Sequence, residues 1–192
     1  LREVAAAISA YIENSEIDID ELCRHIKGPD FPTGGTIYGK SGIKKAYKTG
    51  RGKIVVRGKF TIETSKGGKE SIVFTEVPYG VNTTTLCQRI GELARNKVIE
   101  GITGINDETS DRTGLRIVID LKRGAVAKIV LNQLFSKTEL QSNFGVINLA
   151  LVNGRPQVLT LKQIIQHFVE HRDEVVTRRT KFLLEKALAR AH

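Results

Sequence analysis

Between Ser71 and Val152 the apolar residues switch repeatedly between a two-residue and a 3.6-residue period. Ser71–Val77 reads as a strand, and Leu86, Ile90, Leu93 and Ala94 form a helical stripe that Asn82 or Thr85 caps. A strand near Gly101–Ile105 and a polar loop, Asn106–Gly114, follow. Leu115, Ile117, Ile119 and Leu121 alternate as another strand, and Ala125–Phe135 is helical. Phe144–Val152 is a last strand that turns at Asn153-Gly154, a type I′ signal. The order β-α-β-β-α-β predicts an α+β chain with a split, ferredoxin-like sheet and its helices on one face.

Upstream, Val4, Ile8, Tyr11 and Ile12 repeat at helical spacing, which places Tyr11 in a core. Asp18 with Glu21 opens a second short helix that Gly28 ends, and Pro29 and Pro32 hold the chain extended. From 53 to 64 the period is two. Ile54, Val56, Phe60 and Ile62 face one way, and Lys53, Arg57, Lys59 and Glu63 the other. Gly67-Gly68, within Ser65–Lys69, turns this strand into the next as a basic hairpin.

Downstream, Thr160 and Gln163 make a capping box. Leu161, Ile164, Ile165, Phe168, Val175, Val176, Phe182, Leu183 and Ala187 then keep helical spacing to the C-terminus. So long a helix, carrying Arg172, Arg178, Arg179, Lys181, Lys186 and Arg190, is expected to project and to continue as a coiled coil. The expected division is a helical segment 1–28, an α+β domain 29–159 and the long helix 160–192. The first residue is Leu1 and the helical pattern has not ended by the last, so an internal piece of a longer protein is expected.

The chain of 192 residues has a formal net charge of +9, which favours an anionic partner. The excess is concentrated. Residues 33–62 hold Lys40, Lys44, Lys45, Lys48, Arg51, Lys53, Arg57 and Lys59 and no acid, whereas residues 1–32 are predominantly acidic. Solubility needs only mixed charge, so a stretch without acid points to a phosphate-bearing partner. Lys44, Lys45, Lys48, Arg51, Lys53, Arg57 and Lys59 are the candidate contacts. Cys23 and Cys87 form no C-x-x-C pair and read as reduced thiols. No apolar run reaches the roughly 20 residues that cross a bilayer, and no signal peptide is legible.

Three motifs invite other readings. Gly34–Ser41 matches G-x-x-x-x-G-K-[ST], and Ile117–Asp120 resembles an acidic strand that holds Mg²⁺. A phosphate loop needs an apolar strand before it and a full helix after it. Here prolines precede it, Thr36–Tyr38 reads as a strand inside it, and the following helix, Ile43–Tyr47, is short. His167–His171 matches H-x-x-E-H, but a zinc site needs a third ligand and Arg172 would oppose a dication. Of the four tyrosines, Tyr38 and Tyr47 lie in the basic stretch as candidate hydroxyl donors. These residues predict no catalytic, metal or cofactor site.

Several phrases occur in a family-specific order: Pro29–Gly34, Gly42-Ile43, Ala46–Gly52, Glu76–Asn82, Ser110–Arg112 ahead of Arg116-Ile117, Leu121–Arg123, Val130–Asn132, Thr138–Gln141 with Phe144, then Phe168, His171-Arg172, Val175 and Arg178–Thr180. The series resembles the A subunits of bacterial type IIA DNA topoisomerases from end to end, and Arg178-Arg179-Thr180 leans to the gyrase branch over topoisomerase IV. The resemblance implies a tower (shoulder) segment followed by the start of the coiled-coil helix. It implies a cytoplasmic A2B2 assembly in which paired A subunits hold a bent gate duplex. Each of the paired A subunits contributes a tyrosine that attacks a phosphate, and the B subunit supplies ATP hydrolysis and the Mg²⁺ site. The family's nucleophilic tyrosine follows an arginine. Tyr11, Tyr38, Tyr47 and Tyr79 follow Ala10, Ile37, Ala46 and Pro78, so this stretch is expected to be inactive by itself. Three departures stand out. Thr83 replaces a usual lysine, the loop Asp107–Arg112 reads one residue longer, and Gly124 replaces an aspartate that would help cap the next helix. The alternatives are an independent nucleotide hydrolase using Gly34–Ser41, and a scaffold whose basic face meets an acidic partner such as the B subunit.

Overall fold

Side-chain caps set where the helices begin. In the computed structural model of the chain, which describes residues 1–65 and 67–191, Asp18 accepts a hydrogen bond from the Glu21 N–H at 2.8 Å and Asn82 accepts one from the Thr85 N–H at 3.0 Å. Thr160 and Gln163 close a reciprocal capping box: the Thr160 N–H donates to the Gln163 amide oxygen at 2.8 Å, and the Gln163 N–H to the Thr160 hydroxyl oxygen at 3.2 Å. Lys66, in the expected turn, and His192, at the end of the expected last helix, lie outside the described residues.

The elements run α1 (Arg2–Glu13), α2 (Ile19–His25), β1 (Thr36–Tyr38), α3 (Ser41–Thr49), β2 (Arg51–Arg57), β3 (Lys59–Thr64), β4 (Glu70–Glu76), α4 (Thr83–Arg95), β5 (Ile102–Asp107), β6 (Ile117–Leu121), α5 (Ala127–Lys137), β7 (Gln141–Ile147), β8 (Leu149–Val152), β9 (Arg155–Val158) and α6 (Leu161–Ala191). The class is α+β. The chain folds as two compact units. One comprises Leu1–Pro29, Ser41–Lys53 and Gly145–His192; the other comprises Asp30–Lys40 and Ile54–Phe144. This partition differs from the linear division 1–28, 29–159 and 160–192.

In the helical unit α2 packs against α1, α3 and α6. Its core includes Ala7, Ile17, Leu22, Ile26, Ile43, Ala46, Tyr47, Leu161 and Ile165. Two expectations change here. Tyr11 is only half-buried, because Ala7 takes the core position of α1 while Val4 and Ile12 face solvent. Helix α2 is capped at Ile26 in extended geometry, two residues before Gly28. Asn153 and Gly154 both adopt positive φ, 51° and 76°, as the turn between β8 and β9 requires. On α6 only Leu161 and Ile165 are buried, and from Glu170 onward only Val175 is even half-covered.

In the sheet unit the strand order is β3-β4-β6-β5, all antiparallel. Ile72 and Phe74 of β4, with Ile117, Ile119 and Leu121 of β6, point to one face. Leu86, Ile90 and Leu93 of α4, and Val130, Leu131, Leu134 and Phe135 of α5, cover that face. The run β4-α4-β5-β6-α5 thus follows the split pattern, but its last strand does not close the sheet. β7 neighbours β2 in a separate sheet, and β3 fills the edge beside β4. The local hairpin wins because β3 and β4 are joined by a tight turn, with the Gly68 N–H on the Ser65 carbonyl. The single strand expected over 53–64 is likewise two strands. At Gly58 the N–H turns to the Leu140 carbonyl, and the register with β4 shifts between Lys59 and Phe60. The expected last strand, 144–152, also divides, at Asn148, into β7 and β8. Gly124, at φ 82°, lies two residues before the α5 N-cap, Val126, so it is a turn residue and not the cap.

One close approach fixes the helical unit around the basic stretch. A Cβ added at Gly52, at the start of β2, would lie 2.6 Å from the Gly42 carbonyl oxygen and 2.7 Å from the Ala46 Cβ. Only hydrogen fits there. Gly52→Ala is expected to destabilise the chain by about 1–3 kcal/mol, the usual cost of forcing an extra carbon into packed backbone. Urea unfolding should show a lower midpoint at unchanged slope.

Candidate nucleic-acid interface

Helix α3 is built so that its apolar residues anchor it and its lysines stay in solvent. Ile43, Ala46 and Tyr47 are buried, while Lys44, Lys45 and Lys48 are exposed. The Thr49 hydroxyl lies 2.8 Å from both the Lys45 and the Arg51 carbonyl oxygens, stitching the end of α3 to the start of β2. Arg51 and Lys53 alternate with Gly52 and are exposed. Five of the seven candidate cations, Lys44, Lys45, Lys48, Arg51 and Lys53, therefore belong to the helical unit.

Their charge is not all free. Asp20, in the first turn of α2, holds Lys48 Nζ at 2.6 Å and Lys44 Nζ at 3.5 Å. The Lys48 hydrogen bond and the charges of both lysines keep the Asp20 carboxyl below its ordinary range, and Asp20 in turn pushes Lys48 up. Cys23, partly buried beside them, has a thiol pushed up chiefly by burial.

The other two candidates, Arg57 and Lys59, belong to the sheet unit and carry internal contacts. The Arg57 guanidinium lies 3.8 Å from the Tyr38 ring centroid and 4.8 Å from that of Phe135, and its Nε donates to the Gln141 amide oxygen at 2.7 Å. It is a half-buried packing group. Lys59 pairs with Glu76 at 3.2 Å. Of the tyrosines in the basic stretch, Tyr47 is buried, and Tyr38 is exposed beneath Arg57.

The same Glu76 meets the first two glycines of Gly34–Ser41, both of which adopt positive φ. The Gly35 N–H donates to Glu76 Oε2 at 2.5 Å, and a Cβ on Gly34 would collide with that carboxylate. The loop thus donates a backbone N–H to an anion supplied by its own chain. β1 lies inside the motif, as expected, and pairs with β2 through Ile37 opposite Val56. α3 spans nine residues, longer than expected. Among the described residues no strand precedes the loop, so the strand-loop-helix context of a nucleotide site is not formed there. On α6, His167 Nδ1 and Glu170 Oε2 are 3.0 Å apart, which joins two members of the H-x-x-E-H pattern to each other.

Comparison with known proteins decides the family. The family model for the A subunits of DNA gyrase and topoisomerase IV matches residues 1–192. The chain belongs to that family. The DNA gyrase A subunit of Treponema pallidum (strain Nichols) is 68% identical over the whole of this chain, which covers 24% of that relative. The gyrase A subunits of Brachyspira hyodysenteriae and Clostridium acetobutylicum are 51% and 54% identical over the whole chain, which covers 23% of each. The chain thus spans about a quarter of the length of the curated relatives it matches. Among the described residues no helix is long and apolar enough to cross a membrane.

Asp20 and Glu76 are what a reading by segment misses. Each lies outside 33–62, and no helical spacing or short turn links Asp20 to Lys48, 28 positions away. The Glu76 carboxyl is held below its ordinary range first by the Gly35 N–H and then by Lys59. A depressed folded-state value contributes stability that is complete above the ordinary carboxyl range and is lost as pH falls through the folded-state value. Glu76→Gln in this family member should therefore lower stability near neutrality by about 1 kcal/mol and flatten its loss on acidification. Urea midpoints measured between neutral and acidic pH check both effects.

Proposed function

We propose that this chain is the tower segment of a gyrase-type A subunit, in which its helical unit supports the phosphate backbone of the gate duplex. One observation carries the reading: Lys45, Arg51 and Lys53 are exposed around the join that Thr49 makes between α3 and β2, with Lys44 and Lys48 on the same helix. Such cations position a duplex without reading its sequence. Holding a bent duplex costs several kcal/mol by elastic estimates, and backbone contacts offset that cost. In this reading the A subunits pair, and the nucleophilic tyrosine comes from another part of the full-length protein. The B subunit brings ATP and Mg²⁺, and the assembly passes one cytoplasmic duplex through another to supercoil DNA. The exposed Phe168, Val176, Phe182, Leu183 and Leu184 of α6 suit a second helix in a coiled coil.

Anisotropy of a labelled duplex of about 30 base pairs, titrated across a salt series, tests the reading. Log affinity should fall with log salt at about −0.9 per neutralised phosphate. Charge reversal at Lys44, Lys45, Lys48, Arg51 and Lys53 together should remove most of that slope. Equal binding by both proteins, or no binding by either at low salt, overturns the reading and makes the B subunit the partner to test against the basic face.

A further inference from the structure

The cations of the helical unit differ in their partners. Lys44 and Lys48 are one helical turn apart on α3 and converge on the single carboxylate of Asp20. Among the described residues, Lys45, Arg51 and Lys53 enter no ion pair. The position of Asp20 is set locally: Asp18 caps α2, and α2 packs on α3. Asp20 and both lysines remain about half exposed. The pair is thus weak and screened by salt, and a phosphate oxygen offers the lysines the same charge and the same acceptor chemistry as the carboxylate.

We propose that Asp20 is a built-in competitor for the DNA backbone: it occupies Lys44 and Lys48 until phosphate displaces it, so that Lys45, Arg51 and Lys53 form the standing contact and the two α3 lysines a conditional one. This rests on the DNA-supporting reading of the helical unit. Its consequence is a hold on the duplex that stays weaker and more reversible than the number of lysines implies. Displacement leaves a carboxylate beside a phosphate, and that repulsion is absent from a surface of free cations. A support that must release its duplex needs such a limit.

The test is Asp20→Asn, with Asp20→Glu as the conservative control, titrated with the same labelled duplex. The Asn variant should bind more tightly, with a salt slope steeper by about 0.9 to 1.8, for one to two additional phosphates. The Glu variant should stay close to the unaltered chain. In a Lys44→Gln, Lys48→Gln background, Asp20→Asn should change the slope little. An unchanged slope in Asp20→Asn, while reversal of Lys45, Arg51 and Lys53 abolishes it, overturns the competitor and leaves the DNA reading standing. An equal gain in the double-Gln background also overturns it, because Asp20 would then act by general repulsion alone. Absence of binding in every protein overturns both. Urea unfolding of each variant separates these effects from loss of fold.

Discussion

At Gly52 the backbone of β2 passes so close to α3 that a methyl group would overlap the Gly42 carbonyl and Ala46. The contact explains a run of residues that otherwise looks arbitrary. Ala46 and Tyr47 are buried to seat the helix, Thr49 bonds across the corner, and Gly52 lets the strand start against the helix it has just left. Lys44, Lys45, Lys48, Arg51 and Lys53 are carried on this rigid corner rather than on a loose loop, so their positions are set by packing. In the proposed DNA-supporting reading such anchoring helps, because less backbone freedom remains to be lost on contact.

The second organising element is a pair of carboxylates placed against the basic stretch from outside it. Asp20 holds two lysines of α3, and Glu76 holds Lys59 and the Gly35 N–H. Neither interaction is strong alone, since exposed ion pairs contribute little. Their effect is on distribution. In a segment without a single acid, some cations are free, some are shared and one, Arg57, is turned into a packing group between Tyr38 and Phe135. The Glu76 arrangement also resolves the resemblance of Gly34–Ser41 to a nucleotide loop. Gly34 and Gly35 both adopt positive φ, and the Gly35 N–H donates to the carboxylate; that chemistry is shared with phosphate cradles while the anion here is internal.

Local signals carried far. Asp18, Asn82 and the Thr160–Gln163 box set helix starts as their hydrogen-bonding chemistry requires. The periodicities placed α4, β6, α5 and α6 correctly, and Asn153-Gly154 turned as expected. Helix ends and strand breaks were less legible. Gly58 and Asn148 divide strands that the alternation alone runs together; past Gly58 the expected common face is lost, since Ile54 and Val56 are buried while Phe60 and Ile62 are exposed. The ordered phrases pointed to the family, and the match over residues 1–192 agrees.

What the sequence determined by itself, then, was the kind of element at most positions, the α+β class, the family, and the concentration of positive charge in residues 33–62. Only the tertiary structure decided which strand takes the sheet edge beside β4, and which cations remain available. β3 displaces β7 because a short hairpin closes at lower entropic cost than a return across α5. The fates of Lys48 and Lys59 depend on acids brought from 28 and 17 positions away. Caps and periods act over a few residues and can be read along the chain, whereas partnerships across such distances exist only once packing has placed the elements side by side.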